Sequence, residues 1–350
     1  MRPLPSAPRT GGVTTAESEE SLGPRAVPLA FVEATKVYPG RTTAAVSNLT
    51  LEIPASEICV LIGPSGSGKT TAMQLVNRLI PITSGDITMD GRSVMGLDET
   101  ELRRGIGYVF QQIGLFPHMT TEANIGTVPR LLGWPKERIR ARARELLDLV
   151  GLDPDEDLRR YPSEFSGGQR QRIGVARAMA ADQPLMLMDE PFGALDPITR
   201  DRLQDDFLRL HREVPKTVVF VTHDIDEAIK MGDRIAILRD GELVQYDTPD
   251  RILAEPADEF VADFVGADRG LKRLVVWQLR DMDLDPSPAE ASPGPALPDH
   301  TSLRDALSVM LVEGAERLTV LDREGQPRGT VALETITGLI GPESERVVGA

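Results

Sequence analysis

The chain has 350 residues, of which 41% are hydrophobic and 27% charged, a composition typical of globular proteins and a length that favours two domains. Its formal net charge of −15 argues against broad nucleic-acid binding, so we expect no nucleic-acid partner. The absence of long apolar runs, and a single cysteine, Cys59, predict a cytoplasmic protein without a membrane span, a signal peptide or a disulfide framework.

The first half of the chain alternates between strand-like and helix-like segments. Residues 1–27 are rich in Pro, Gly, Ser and Thr and predict a disordered arm. Residues 31–38 and 47–53 flank the Pro39-Gly40 turn and predict a pair of strands. Further short strands are predicted at 58–62, 86–91, 106–110, 185–188 and 218–221. Helical periodicity between them, clearest from Pro135 to Val150, favours an α/β fold with a mostly parallel sheet.

Beyond the last of these strands the pattern continues into a smaller unit. A strand is predicted at 242–246 and helices at 249–254 and 256–265, before a Pro-rich linker. A helix capped by Ser302, two strands at 317–321 and 329–332, and a helix at 333–340 then predict a small α+β module.

One octapeptide, which fits the pattern G-x-x-x-x-G-K-[ST], organises the predicted chemistry. It comprises Gly63, Pro64, Ser65, Gly66, Ser67, Gly68, Lys69 and Thr70, between the strand at 58–62 and a helix that continues through Thr71. The glycines allow backbone N–H groups to surround phosphate oxygens, and the helix N-terminus adds positive partial charge. Lys69 is expected to contact the β- and γ-phosphates and Thr70 to ligate Mg²⁺, so the motif predicts binding of a nucleoside triphosphate.

Two further motifs fit the same chemistry. Asp189 and Glu190 end a predicted parallel strand, at the sheet edge where ligands bind. The first carboxylate can hold Mg²⁺ through water, and the second can orient a water molecule against the γ-phosphate. Ser166, Gly167 and Gly168, which precede a helix predicted from Gln169, form a second anion-binding nest, although one triphosphate bound in cis requires only one.

The order and spacing of these motifs resemble those of the ATP-binding subunits of ABC transporters, over about residues 28–266. The resemblance implies a P-loop NTPase fold: a RecA-like parallel sheet, an antiparallel β subdomain and a helical subdomain at about 112–165. It implies that Tyr38 stacks on adenine, that residues 63–71 hold ATP, that Gln111 contacts Mg²⁺ and senses the membrane subunit, and that Ser166, Gly167, Gly168 and Gln169 form the signature motif. It further implies that Asp189 holds Mg²⁺, that Glu190 is the catalytic glutamate, that Asp196 belongs to the D-loop, and that His223 is the switch histidine.

The same resemblance implies partners and a location. Two copies are expected to pack head to tail, so that Ser166 and Gly168 of one copy close over ATP held by the other. Integral membrane permease subunits and, indirectly, a solute-binding protein would place the chain at the cytoplasmic face of the cell membrane. Phe116 and His118 lie in the loop where a permease helix is expected to dock.

Only the resemblance to related proteins indicates which solute is transported. Within this family, the sequence resembles importers of quaternary amines such as glycine betaine, carnitine and choline. Importers of amino acids or polyamines remain an alternative, as do an ABC ATPase acting on DNA or ribosomes and, from another class, a P-loop kinase. Copurification with a membrane subunit would separate importers from the last two classes.

The C-terminal part is predicted to contain a linker at 267–300, one module at 301–341 that resembles a CBS unit, and a tail at 342–350. Relatives with two such units in tandem pair them into a regulatory disc, whereas only one is recognisable in this chain. We hypothesise that two copies of the chain pair their single modules, and crosslinking would test this. The basic segment from Arg269 to Arg280 is expected to form a solvated strand or helix edge.

Overall fold

The computed structural model describes residues 26–110, 114–286 and 294–340. The predicted N-terminal arm up to residue 25, and the C-terminal tail, lie outside these residues. The strands are β1 Leu29–Lys36, β2 Val46–Ile53, β3 Ile58–Ile62, β4 Ser84–Met89, β5 Arg92–Ser93, β6 Ile106–Val109, β7 Leu185–Asp189, β8 Thr217–Val221, β9 Arg234–Arg239, β10 Glu242–Asp247, β11 Ala296–Pro298, β12 Arg317–Leu321 and β13 Pro327–Ala332. The first helices are α1 Lys69–Val76, α2 Glu99–Arg104, α3 Thr121–Ile125, α4 Thr127–Leu131, α5 Lys136–Leu149, α6 Pro154–Asp157 and α7 Gly167–Ala178. The remaining helices are α8 Pro197–Glu213, α9 Ile225–Met231, α10 Pro249–Ala254, α11 Glu259–Val265, α12 Arg269–Val276, α13 Leu303–Glu313 and α14 Leu333–Gly338.

A six-stranded sheet forms the centre of the larger domain. Its strand order is β10-β9-β3-β8-β7-β6, and every neighbouring pair is parallel except the antiparallel edge pair β10 and β9. Strands β3, β7 and β8 are buried along their whole length, as expected for a parallel sheet covered on both faces. Their carboxyl ends therefore lie side by side at one sheet edge, and the loops that follow them meet there.

A second, antiparallel sheet covers one face of the central sheet. Its order is β2-β1-β4-β5, and β1 pairs with β2 across the predicted turn at Pro39-Gly40. Side chains alternate between the faces of β3, so Cys59 and Leu61 pack in the core shared with this second sheet. Ile58, Val60 and Ile62 pack in the other core, against helices that include α5 and α7. Burial also raises the pKa of the Cys59 thiol, so the cysteine is an inert packing residue, as its sequence context predicted.

Helix α5 shows why the region before α7 is helical. Ile139, Ala143, Leu146 and Leu147 are buried on one face, in the 3–4-residue spacing that the sequence shows. Pro135 is the N-cap, so the helix begins one residue after the predicted start, and the missing N–H of the proline costs no hydrogen bond there. None of the helices among the described residues combines the length and apolarity that a membrane span requires.

The C-terminal residues form a third core on the sheet β11-β12-β13, with α13 and α14 packed beside it. The range predicted as a linker contains α12, whose Leu274 is fully buried, and Leu279 and Met282 join the same core. The expectation of a solvated edge from Arg269 to Arg280 is therefore wrong for Leu274 and Leu279. The basic residues of this segment suggested a solvated surface. In the structure, however, Arg273 and Trp277 both donate to the carboxylate of Asp250, at 2.8 and 3.0 Å.

Candidate active site

The phosphate-loop motif lies between β3 and α1, at the carboxyl edge of the central sheet. Gly68 is the N-cap of α1, with a φ of 101°. The loop is tied to its surroundings through Ser67, whose N–H donates to Pro64 O and whose carbonyl accepts from the Gly241 N–H. Strand, glycine-rich loop and helix therefore follow one another in the arrangement that exposes backbone N–H groups to a phosphate.

Close backbone contacts explain two of the three glycines in this loop. A Cβ at Gly63 would lie 2.0 Å from Leu238 O, and one at Gly68 would lie 2.3 Å from Ala45 O. Gly66 also has a positive φ, 82°, but a Cβ there would meet no atom within 4 Å. Gly63 and Gly68 thus allow the neighbouring chain to pass, while Gly66 serves only the backbone conformation.

This difference predicts unequal effects on stability. We expect Gly63→Ala to lower the free energy of unfolding by about 2–4 kcal/mol, because overpacking against a fixed carbonyl adds to the positive-φ penalty. Gly66→Ala should cost only about 1 kcal/mol, since only the φ penalty applies. Urea denaturation monitored by circular dichroism measures both, and equal losses would contradict this assignment.

The Lys69 ammonium group is held over the phosphate loop. It donates to Gly63 O and Pro64 O, both at 2.8 Å, and to Ser67 Oγ at 3.3 Å. Burial lowers the pKa of Lys69, while the nearby carboxylates of Glu190 and Asp189 act in the opposite direction. The lysine is therefore positioned at the loop with part of its hydration already removed.

Asp189 ends β7, two strands from β3, and its carboxylate lies beside the start of α1. Thr70 Oγ1 donates to Asp189 Oδ1 at 3.3 Å. Burial raises the pKa of Asp189 to about 6, a shift that the Thr70 hydrogen bond and Lys69 oppose. A hydroxyl and a buried carboxylate are hard oxygen donors of the kind that Mg²⁺ prefers, so these two residues fit the predicted metal.

Glu190 and His223 meet at the same sheet edge. His223 Nδ1 lies 3.1 Å from Glu190 Oε1, although α8 and β8 lie between the two residues in the chain. Glu190 has a φ of 46°, a left-handed conformation that is uncommon outside glycine. Its N–H donates to Val221 O at 2.9 Å, which ties the start of this turn to the end of β8.

The four signature residues begin helix α7. Ser166 is the N-cap: its Oγ accepts from the Gln169 N–H at 3.2 Å, and Gln169 Oε1 accepts from the Ser166 N–H at 2.9 Å. This reciprocal pair is a capping box. A Cβ on Gly167 would meet no atom within 4 Å, and one on Gly168 would lie 3.2 Å from Leu195 Cδ2. Among the described residues, no hydrogen bond joins these four residues to the phosphate loop of the same chain.

Asp196 and Tyr38 lie at two margins of the site. Asp196 is the N-cap of α8: its Oδ1 accepts from the Thr199 N–H at 3.0 Å, and this hydrogen bond lowers the pKa of the carboxyl group. Tyr38 is partly exposed, and its Oη lies 3.5 Å from Thr71 Oγ1 in the first turn of α1. An aromatic ring beside the phosphate loop is available to stack on a base.

Gln111, predicted to contact Mg²⁺, lies outside the described residues.

Sequence reasoning did not single out Gln171, which the structure places between two of the motifs. Its side chain is 5% exposed on α7. Nε2 donates to Glu190 O at 3.1 Å, and Oε1 accepts from the Ala194 N–H at 2.9 Å. A signal existed, because Gln171 shares the buried face of α7 with Val175 and Ala178 at helical spacing, where a polar residue needs partners.

Comparisons with known proteins agree with this geometry. Residues 46–193 match the family model described as "ABC transporter". The chain is 51% identical over 292 residues to an osmoprotectant import ATP-binding protein, OsmV, of Salmonella typhimurium, which covers 83% of this chain and 75% of the relative. It is also 51% identical over 308 residues to a glycine betaine/carnitine/choline transport ATP-binding protein, OpuCA, of Bacillus subtilis, with 88% and 79% covered.

A similar solved structure is the dimeric structure of a bacterial ABC transporter cassette, with a TM-score of 0.59 and 35% identity, covering 63% of this chain and 98% of that one. Another is a dimeric post-hydrolysis state of an ATP-binding cassette bound to ADP and phosphate, with a TM-score of 0.58. Both confirm the P-loop NTPase fold. Site geometry, family match and relatives agree: the chain belongs to the ATP-binding, ATP-hydrolysing subunits of ABC transporters.

Proposed function

We propose that this ATPase energises an importer of osmoprotectant quaternary amines. The observation that carries the solute class is the set of relatives at 51% identity, named for import of osmoprotectants and for transport of glycine betaine, carnitine and choline. The sequences align over 83–88% of the chain, so the likeness includes more than the shared phosphate loop. Nothing in the mechanism requires this subunit to touch the solute.

ATP binding uses the loop between β3 and α1. The backbone N–H groups of residues 65–70 surround the β- and γ-phosphates, and Lys69 exchanges its loop carbonyls for phosphate oxygens. Thr70 and Asp189 would hold Mg²⁺, which neutralises phosphate charge when bound. Tyr38 stacks against adenine at the margin beside Thr71.

Hydrolysis depends on Glu190, which orients the attacking water and accepts its proton. His223 holds that carboxylate through the contact of 3.1 Å and provides a donor toward the γ-phosphate. The left-handed backbone of Glu190 is a local strain of the kind found where a side chain must be aimed precisely at a substrate.

A second copy of the chain completes each site. The Ser166 nest presents helix N–H groups to an anion, yet no hydrogen bond among the described residues ties it to its own phosphate loop. In a head-to-tail dimer, Ser166 and Gly168 of each copy would cover the γ-phosphate held by the other. ATP then favours the closed dimer, and hydrolysis releases it. The dimeric cassettes with the same fold support this arrangement.

The permease is proposed to dock on a cleft of about 280 Å³ beside β6 and α4. Three large apolar side chains that line it, Leu79, Phe110 and Phe116, are 40–46% exposed. Exposed apolar side chains grouped at one cleft are typical of a protein interface. A cytoplasmic helix of the permease would bury them, and the chain would then lie at the cytoplasmic face of the membrane.

We expect Phe116→Asp to reduce the amount of permease recovered with the chain by at least about ten-fold, because a buried unpaired carboxylate is costly at an interface. Val312→Asp is the matched control, since Val312 is 84% exposed on α13, away from the cleft. Affinity purification from detergent-solubilised membranes, with both subunits quantified, measures the effect. Equal recovery for the two variants would remove the cleft from this role.

The solute class is tested with the chain reconstituted in proteoliposomes together with its copurified permease and solute-binding protein. Glycine betaine, choline and carnitine are each compared with an amino acid mixture and with putrescine as stimulants of ATP hydrolysis. Stimulation by the quaternary amines alone supports the proposal. Stimulation by amino acids or putrescine instead would assign the transporter to another importer class.

A further inference from the structure

Gln171 joins two parts of the site that act on different ATP molecules. Helix α7 begins with the Ser166 nest, which the proposed dimer places over the partner's ATP. Glu190, which begins the segment that ends at Asp196, is proposed to act on the ATP of its own chain. Gln171 lies within α7 and bonds to both ends of a turn in that segment, through Glu190 O and the Ala194 N–H.

The bridge is buried and uses both polar atoms of the side chain. With 5% exposure, water does not compete with these two hydrogen bonds. Glu190 O also accepts from the Gly193 N–H at 3.2 Å, so the Gln171 amide completes the pairing of the carbonyl next to the catalytic carboxylate. A second contact runs in parallel, since Leu195 packs against Gly168 at the start of α7.

We propose that Gln171 is a positioning residue that couples the two ATP sites of the dimer. When the nest on α7 closes over the partner's γ-phosphate, the amide transmits the position of the helix to Glu190 O and Ala194 N. The carboxylate of Glu190 is thereby aimed at its own ATP only when the other site is closed. This inference rests on the proposed head-to-tail dimer.

Gln171→Met removes both hydrogen bonds while it keeps the length and volume of the side chain. We expect kcat for ATP hydrolysis by the full chain to fall about ten-fold and the Hill coefficient for ATP to fall toward one. KM for ATP should change by less than roughly two-fold, because the phosphate loop is untouched. If Gln171 served only folding, its substitution would lower the melting temperature without a fall in kcat at nearly constant KM.

Gln245→Met is the matched control. Gln245 also bridges two backbone groups, donating to Glu255 O at 3.0 Å and accepting from the Ala257 N–H at 2.9 Å, but it lies on β10, away from the site. Gln171→Asn is the second variant, for use if the Met variant does not fold. It keeps a buried amide that is shorter by one C–C bond, roughly 1.5 Å, and so can reach only one of its two partners.

Two outcomes separate this inference from the dimer on which it rests. Failure of Glu190→Gln to dimerise with ATP in size-exclusion chromatography would overturn the dimer and the inference together. If the Glu190→Gln chain dimerises with ATP, and the double variant Glu190→Gln/Gln171→Met dimerises to the same extent, the proposed dimer stands. Gln171→Met or Gln171→Asn with the same kcat and Hill coefficient as Gln245→Met would then overturn the coupling role alone.

Discussion

Glu190→Gln should slow ATP hydrolysis by roughly 10²–10⁴, the usual contribution of a positioned general base, while ATP binding is preserved. The amide keeps the size of the side chain and its contact distance to His223, but it cannot accept a proton from water. The backbone bond from Glu190 N–H to Val221 O is unaffected, so the fold of the turn should remain. Initial rates at saturating ATP and Mg²⁺, together with equilibrium binding of ATP, give both quantities.

Glu57→Gln provides the control for this variant. Glu57 precedes β3, at the amino end of the central sheet, and pairs with Arg234 at 3.0 Å. The substitution makes the same chemical change on the same sheet, at the edge opposite the site. Turnover by Glu190→Gln equal to that of Glu57→Gln would remove Glu190 from the catalytic role.

Lys69→Ala should abolish tight ATP binding, raising Kd by on the order of 10² or more, because hydrogen bonds from a charged donor contribute roughly 1.5–3 kcal/mol each. The ammonium group already lies over the loop, 2.8 Å from two backbone carbonyls, so little ordering is required when it transfers to phosphate oxygens. Isothermal titration calorimetry with ATP measures the loss directly.

Lys216→Ala is the comparison for Lys69→Ala. Lys216 is also buried, and burial lowers its pKa to about 8, but its contact is with Ala181 O at 3.5 Å, remote from the phosphate loop. Loss of a buried lysine alone should therefore leave ATP affinity within roughly two-fold of the parent chain. Equal affinity losses in the two variants would show that Lys69 acts through stability instead of phosphate contact.

The sequence predicted those parts of the site in which the same contiguous residues determine both the secondary structure and the chemical groups. The five apolar residues of β3 and the glycine-rich loop after them form one contiguous pattern, and the structure places them as expected. Asp189 was also predictable, because it ends the short apolar run of β7, whereas His223, two residues after β8, was expected from the family resemblance. Parallel pairing then brings their carboxyl ends to one edge.

Contacts between segments distant in sequence could not be predicted in the same way. The carbonyl of Leu238 that requires a glycine at position 63, and the backbone groups that pair with Gln171, lie on other elements. Helix α12 was not predicted because its three basic residues dominated the pattern, although Leu274 is completely buried. Long basic side chains can cover apolar surface with their stems, so net charge is a poor guide to burial.

The paired arrangement of nucleotide sites is the central claim, and a structure of Glu190→Gln bound to ATP and Mg²⁺ tests it most directly. We predict a head-to-tail dimer in which Ser166 Oγ of each copy lies within hydrogen-bonding distance, about 3 Å, of the γ-phosphate held by its partner's phosphate loop. A nucleotide-bound assembly in which Ser166 faces away from the partner's γ-phosphate would contradict it.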